Sequence, residues 1–247
     1  MRDFIQGLGF VASGLQLIRQ PRLRRFVLVP LAINLLLFAG LIGFAASEFG
    51  RLMDYLLGFL PDWLAWLRYL LWPLFAASVL LVVFYGFSIL ANLIAAPFNG
   101  LLAEAVERHL TGQSLEGIGG WRQILRDILP SLWSEVQKLL YFLLRALPVG
   151  LCFLIPGLNL AAPVLWGLFS AWMLALEYAD YPLNNHRLLF PAQRRLLGSR
   201  RLLTLGFGSG VLLMTLIPVI NFIAMPTAVA GATALWVRAL KGRTESG

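Results

Sequence analysis

Cysteine occurs once in the chain, at Cys152, inside an apolar run. A lone thiol excludes an intrachain disulfide and a CxxC metal site, which leaves Cys152 the role of a small hydrophobe. The two histidines, His109 and His186, have no partners at metal-ligand spacing. HExxH, GxSxG and Walker A sequences are missing too, which excludes the commonest metalloprotease, hydrolase and ATPase chemistries. Gly206-Phe207-Gly208-Ser209-Gly210 has the look of a phosphate loop, yet no strand pattern precedes it and no acidic residue follows at the expected distance. Glycines so spaced suit close packing of membrane helices instead. No catalytic residue, metal or cofactor is expected.

Charge is the other scarcity. Only 13% of the 247 residues are charged and 59% are hydrophobic, with mean hydropathy +0.78, whereas a soluble globule carries about 25% charge. So little polar surface cannot cover a water-soluble fold of this size, so lipid must solvate part of it. Lysine is nearly missing as well: 18 of the 20 cations are arginine. The net charge of +8 raises the question of nucleic acid, but the cations cluster beside apolar runs and form no aromatic-interleaved basic face. The expected partner is the bilayer, with no nucleic acid.

What is present in abundance is long apolar sequence. Residues 26–47 carry no charge and as a helix reach roughly 33 Å, enough to cross a core of about 30 Å. A second charge-free run covers residues 69–103, with Trp66 and Trp72 at its start, and predicts a spanning helix over 70–96. Pro97 and Asn99-Gly100 predict that this helix bends or stops there. Between the two, Leu52, Met53, Leu56, Leu57 and Leu60 recur at helical spacing and predict a short amphipathic helix on the outer surface. Residues 98–138 hold four basic and five acidic side chains and read as helices on the cytoplasmic side of the lipid.

The second half contains a repeat. Leu154-Ile155-Pro156-Gly157-Leu158-Asn159, with Pro163 beyond, matches Leu216-Ile217-Pro218-Val219-Ile220-Asn221, with Pro226 beyond. Each copy lies midway along an apolar stretch, which predicts helical hairpins over 139–176 and 202–237 with Pro-x-x-Asn tips. Their arms, 139–155, 160–176, 202–217 and 222–237, reach roughly 24–26 Å as helices. That favours hairpins that dip into the membrane over four further crossings. The expected fold is therefore an all-α integral membrane domain over 1–247, with two long transmembrane helices and two re-entrant, partly penetrating hairpins. Residues 1–25 sum to +4, 177–201 to +3 and 238–247 to +2, against −1 for 48–68, which places both termini and the 177–201 linker in the cytoplasm.

Few residues here can do chemistry. Gln20-Pro21-Arg22-Leu23-Arg24-Arg25 stands where the first spanning helix begins, so Arg22, Arg24 and Arg25 combine planar donors with the positive end of a helix. This is either an anion site or a set of arginines obeying the positive-inside rule. Ser199-Arg200-Arg201 precedes the second hairpin similarly. Arg145 lies inside an apolar arm, where an ionisable group marks a pathway or snorkels to the interface. Glu104 and Arg108, near Glu107, form either a surface ion pair or a charged rim at a pore mouth. Asn159 and Asn221 cap their own turns or line a pathway.

Four blocks carry a family resemblance: Gln20 to Phe26, Ile94-Ala95-Ala96-Pro97-Phe98-Asn99-Gly100-Leu101-Leu102-Ala103-Glu104, Ala162-Pro163-Val164-Leu165-Trp166, and Asp180-Tyr181-Pro182-Leu183-Asn184-Asn185-His186. Together, in this order, they resemble the CysZ sulfate permeases of bacteria. The resemblance implies a homo-oligomer in the inner membrane that takes up sulfate for cysteine synthesis, with sulfite and thiosulfate as related oxyanions. It also implies that Leu23, Arg24 and Arg25 bind sulfate. The family commonly has glycine where this chain has Arg22, so backbone approach to the anion is reduced here and a further guanidinium is added. The sequence shows no energy-coupling domain, which implies channel-like or gradient-driven flux. The reading from another class is a membrane scaffold whose arginines hold lipid headgroups and which moves no solute.

Overall fold

The computed structural model describes residues 1–58, 66–113 and 121–243, all of which lie in helices, turns or short connections. The helices are α1 (Arg2–Ile18), α2 (Arg25–Leu57), α3 (Leu67–Thr111), α4 (Trp121–Leu151), α5 (Ala162–Asn185), α6 (Phe190–Gly198), α7 (Arg201–Leu216) and α8 (Pro218–Leu235). A π turn, Trp236–Leu240, prolongs α8. The chain divides into two compact units, Met1–Arg25 with Asn99–Gly247, and Phe26–Phe98.

The core of the first unit is built on α1. Its buried residues are Gly7, Phe10, Val11, Gly14, Leu17 and Ile18, the spacing of one helical face. That face lies along α7 and α8, and α5 packs on the same two helices. Glycine makes the approach possible. A Cβ on Gly7 would fall nearer than 3.0 Å to the Leu203 carbonyl, one on Gly14 to the Thr227 carbonyl, and one on Gly208 to the Ala171 carbonyl. Backbone therefore touches backbone across three helix pairs, the small-residue packing expected of the Gly206-to-Gly210 segment. Leu203, Phe207, Val211, Ala175 and Ala228 fill the remaining space and are all but inaccessible.

The repeat turns the chain where expected, but its two copies turn differently. After α4 the chain makes a wide turn, in which Gly157 takes φ +88° and Leu158–Leu160 form one 3₁₀ turn. Val219 occupies the equivalent place in the second copy, and a β-branched residue does not adopt positive φ. There a single extended residue, Ile217, at φ −99° and ψ 110°, links α7 to Pro218 in the first turn of α8. Phe142, Phe153, Trp166 and Phe169 form an aromatic seam between α4 and α5. Cys152 is half-buried beside that turn and donates from Sγ to the Pro148 carbonyl at 3.3 Å.

Several expected boundaries shift. α5 has 24 residues and α8 with its π turn 23, longer than the predicted arms, while α7 has 16. Helices do not end at the first charge: Glu177 and Asp180 continue α5 because Lys138 pairs with both. α4 likewise runs unbroken through the expected 138/139 boundary. Residues 114–120 of the expected polar helices lie outside the described residues.

The second unit holds the long apolar portions of α2 and α3. The stretch from Arg51 is the end of α2 and not a separate surface helix, although Leu60 lies outside the described residues. Nor does α3 stop at Pro97. Leu102, Ala103 and Val106 beyond it are completely buried, and that burial outweighs the one backbone hydrogen bond a proline removes. Along α2, Leu28, Leu31, Leu35, Leu36 and Phe44 are exposed. Among the described residues three helical stretches are long and apolar enough to cross a membrane: Arg25–Ala45, Ala162–Asn185 and Pro218–Leu240.

Candidate anion-binding site

Between α1 and α2 the chain makes a tight turn whose construction sorts its side chains. The N–H groups of Leu23 and Arg24 both donate to the Gln20 carbonyl, at 3.0 and 2.9 Å. Leu23 is buried at 2% exposure, whereas Arg22, Arg24 and Arg25 are exposed. One apolar side chain thus anchors a turn that displays three guanidinium groups. Two details differ from expectation. Pro21 lies in the turn, four residues before α2 begins at Arg25, and the N–H groups of Leu23 and Arg24 are engaged within the turn. What this segment offers an anion is guanidinium charge beside the positive end of a 33-residue helix.

The other candidates are spread through the molecule. Glu104 and Arg108 pair with each other one helical turn apart on an open face of α3. Arg145 is exposed on α4, its guanidinium carbon 5.2 Å from the Tyr141 ring centroid. Asn159 and Asn221 are exposed at the two turns, and their N–H groups donate to Ile155 and Ile217 at 3.0 and 2.8 Å. Among the described residues no hydrogen bond or ion pair joins Arg145, Asn159 or Asn221 to the arginine turn. Arg200 serves a structural pair, with Asp3 at 3.0 Å.

Two of the motif blocks meet in space. Asn185 donates from Nδ2 to the Gly100 carbonyl at 3.1 Å, and His186 Nε2 lies 2.8 Å from Glu107 Oε2. Lys241 reaches the other oxygen of Glu107 at 3.1 Å, and Trp236 packs tilted against His186 with centroids 5.2 Å apart. The ends of α3, α5 and the C-terminal helix are thereby fastened to one carboxylate, which is 2% exposed. A second clamp centres on Lys138, which pairs with Asp180 at 3.0 Å, Glu135 at 3.2 Å and Glu177 at 3.3 Å. Gln193 of α6 donates to the other oxygen of Asp180 and to the Leu188 carbonyl. Sequence reasoning missed both clamps; Asp180 and His186 do fall in a motif block, the one signal available.

Burial alone would push the Glu107 carboxyl up, but the hydrogen bonds from His186 and Lys241, with their charges, outweigh it and hold the group below its ordinary value. A carboxylate depressed in the folded state adds stability above its unfolded value, and that stability is lost as pH falls through the folded one. Glu107→Gln is therefore expected to cost about 1–3 kcal/mol at neutral pH. Its thermal midpoint should then approach that of the wild type as pH falls below about 4.5. Midpoint curves that stay parallel down to low pH would show that this carboxylate is not what acid removes.

Apolar helices of crossing length, glycine-mediated helix contacts and arginines gathered at helix ends define a polytopic α-helical membrane protein. The chain belongs to the family described as Sulfate transporter CysZ/Etoposide-induced protein 2.4, which it matches over residues 10–226. A protein of Pseudomonas paraeruginosa named Sulfate transporter CysZ is 47% identical over 234 residues, covering 95% of each chain. One of the same name from Pectobacterium atrosepticum is 46% identical over 232 residues, covering 94% of this chain and 84% of that one. The family read from four motif blocks is thus the family to which the chain belongs.

Proposed function

We propose that this protein is a sulfate permease of the bacterial inner membrane that supplies cysteine synthesis by channel-like or gradient-driven flux. The observation that carries this reading is the Leu23-anchored turn, which displays Arg22, Arg24 and Arg25 at the foot of the charge-free stretch 26–47 of α2. A tetrahedral dianion is the ligand that planar guanidinium donors suit. The name of the relatives supports sulfate in particular, with sulfite and thiosulfate as competing sulfur oxyanions. Arg22, Leu23, Arg24 and Arg25 form the entry site, and Glu104, Arg108, Arg145, Asn159 and Asn221 are pathway candidates.

In this reading α2 and α3 cross the bilayer and the α4–α5 and α7–α8 hairpins penetrate part of it, in a single membrane domain. The 16 residues of α7 reach roughly 24 Å, short of a core of about 30 Å, which supports partial penetration by that arm, while α5 and α8 with its π turn are long enough to cross. An irregular tip at that depth needs protein or water beside it, so a homo-oligomer would enclose the tips. The charge bias places both termini in the cytoplasm. Purified protein in liposomes is expected to admit labelled sulfate above the empty-vesicle rate. No flux under any pH or ion gradient would sink the permease and leave the scaffold reading.

A further inference from the structure

Four cations of the first unit have acidic partners: Lys138 has three, Lys241 has Glu107, Arg108 has Glu104 and Arg200 has Asp3. Four others share one cavity instead. A cavity of about 910 Å³ opens between α4, α5, α6 and the start of α7, and Arg145, Arg194, Arg195 and Arg201 all line it. Its wall contains no carboxylate, and among the described residues none of these four makes an ion pair.

Two of the four are held without being neutralised. The guanidinium carbons of Arg145 and Arg194 lie 5.2 and 5.3 Å from the centroid of the same Tyr141 ring, a contact that positions a cation and leaves its charge intact. The Tyr141 hydroxyl accepts the Trp172 indole N–H at 3.0 Å, so its own proton remains to be donated. Four like charges sharing one cavity repel one another, and a multiply accepting anion relieves that repulsion while filling their donors. Apart from Ser199, the rest of the wall is apolar or aromatic, including Leu168, Phe169 and Leu205.

We propose that this cavity is a second oxyanion site, separate from the Arg24–Arg25 turn, which takes a tetrahedral phosphate or sulfate group. The group comes either from an anionic phospholipid, whose first acyl carbons would lie along the apolar wall, or from free sulfate. The assignment is independent of the reading of the Arg24–Arg25 turn.

Full-length protein stripped of lipid in detergent is to be tested in two ways: native mass spectrometry after incubation with phosphatidylglycerol or phosphatidylcholine, and equilibrium binding of labelled sulfate. The variants are Arg194→Gln/Arg195→Gln, the milder Arg145→Gln, and Arg24→Ala/Arg25→Ala. If a lipid is the source, wild type retains phosphatidylglycerol over phosphatidylcholine, and the Arg194/Arg195 double variant binds it at least about tenfold more weakly. If free sulfate is the source, the sulfate still bound by the Arg24/Arg25 variant disappears when the cavity arginines are also replaced. Arg145→Gln shifts the same quantity in the same direction and carries the test should the double variant misfold. Anionic lipid and sulfate binding unchanged in every cavity variant overturns the proposal. Loss confined to the Arg24/Arg25 variant overturns it as well, while leaving the entry site intact.

Discussion

Replacing Arg24 and Arg25 together by alanine is expected to lower sulfate affinity by roughly 100-fold without unfolding the protein. Hydrogen bonds between charged partners each contribute about 1.5–3 kcal/mol. The exposure of this turn puts its arginines at the low end, so two guanidiniums amount to about 3 kcal/mol, or about two decades in affinity. The fold should survive because the turn does not depend on these side chains. It is closed by backbone bonds from Leu23 and Arg24 to Gln20 and anchored by the buried Leu23, all of which persist in the variant. Equilibrium binding of labelled sulfate, read beside helical content and elution volume, separates lost binding from lost folding. Unchanged affinity would remove this turn from the pathway.

The same turn shows how far sequence alone reaches. Arg22, Arg24 and Arg25 were legible as a candidate site because charge beside a 22-residue charge-free run stands out against lipid. The engagement of two N–H groups by Gln20 was not, since it depends on how tightly the chain turns. α1 was legible but went unread. Its charges sit only at its ends, at Arg2 and Asp3 and then from Arg19 onward, while Gly7, Phe10, Val11, Gly14, Leu17 and Ile18 keep helical period between them. Summed only as a charge of +4 with the residues that follow it, it hid a core helix.

Other misreadings came from treating local signals as final. Pro97 signals a bend or a stop, and α3 does not stop there because residues just beyond it are buried completely, so tertiary burial overrides a local penalty. Arm lengths were counted to the first charge, yet Lys138 lets α5 continue past Glu177 and Asp180. The Glu107 clamp joins residues 79 and 134 positions away in the chain, and no periodicity in a single sequence pairs groups at such separations.

The glycine seam gives the largest expected change in stability. Gly208→Ala is expected to cost more than about 3 kcal/mol and to lower the thermal midpoint by roughly 6–12 °C. The added methyl would overlap the Ala171 carbonyl, and that atom belongs to the backbone of α5, so no rotamer change can make room. α5 and α7 would have to move apart, opening space around Phe207, Val211 and Leu176, which are now at most 1% exposed. Gly9→Ala in α1 is the matched control: nothing lies within 4 Å of its added Cβ, so the same change there should stabilise by about 0.5–1 kcal/mol through helix propensity alone. Opposite signs for one chemical change at two helical glycines would separate contact between helix backbones from propensity. If both variants melt above the wild type, the seam is looser than drawn and α1, α5 and α7 are held by side-chain burial alone.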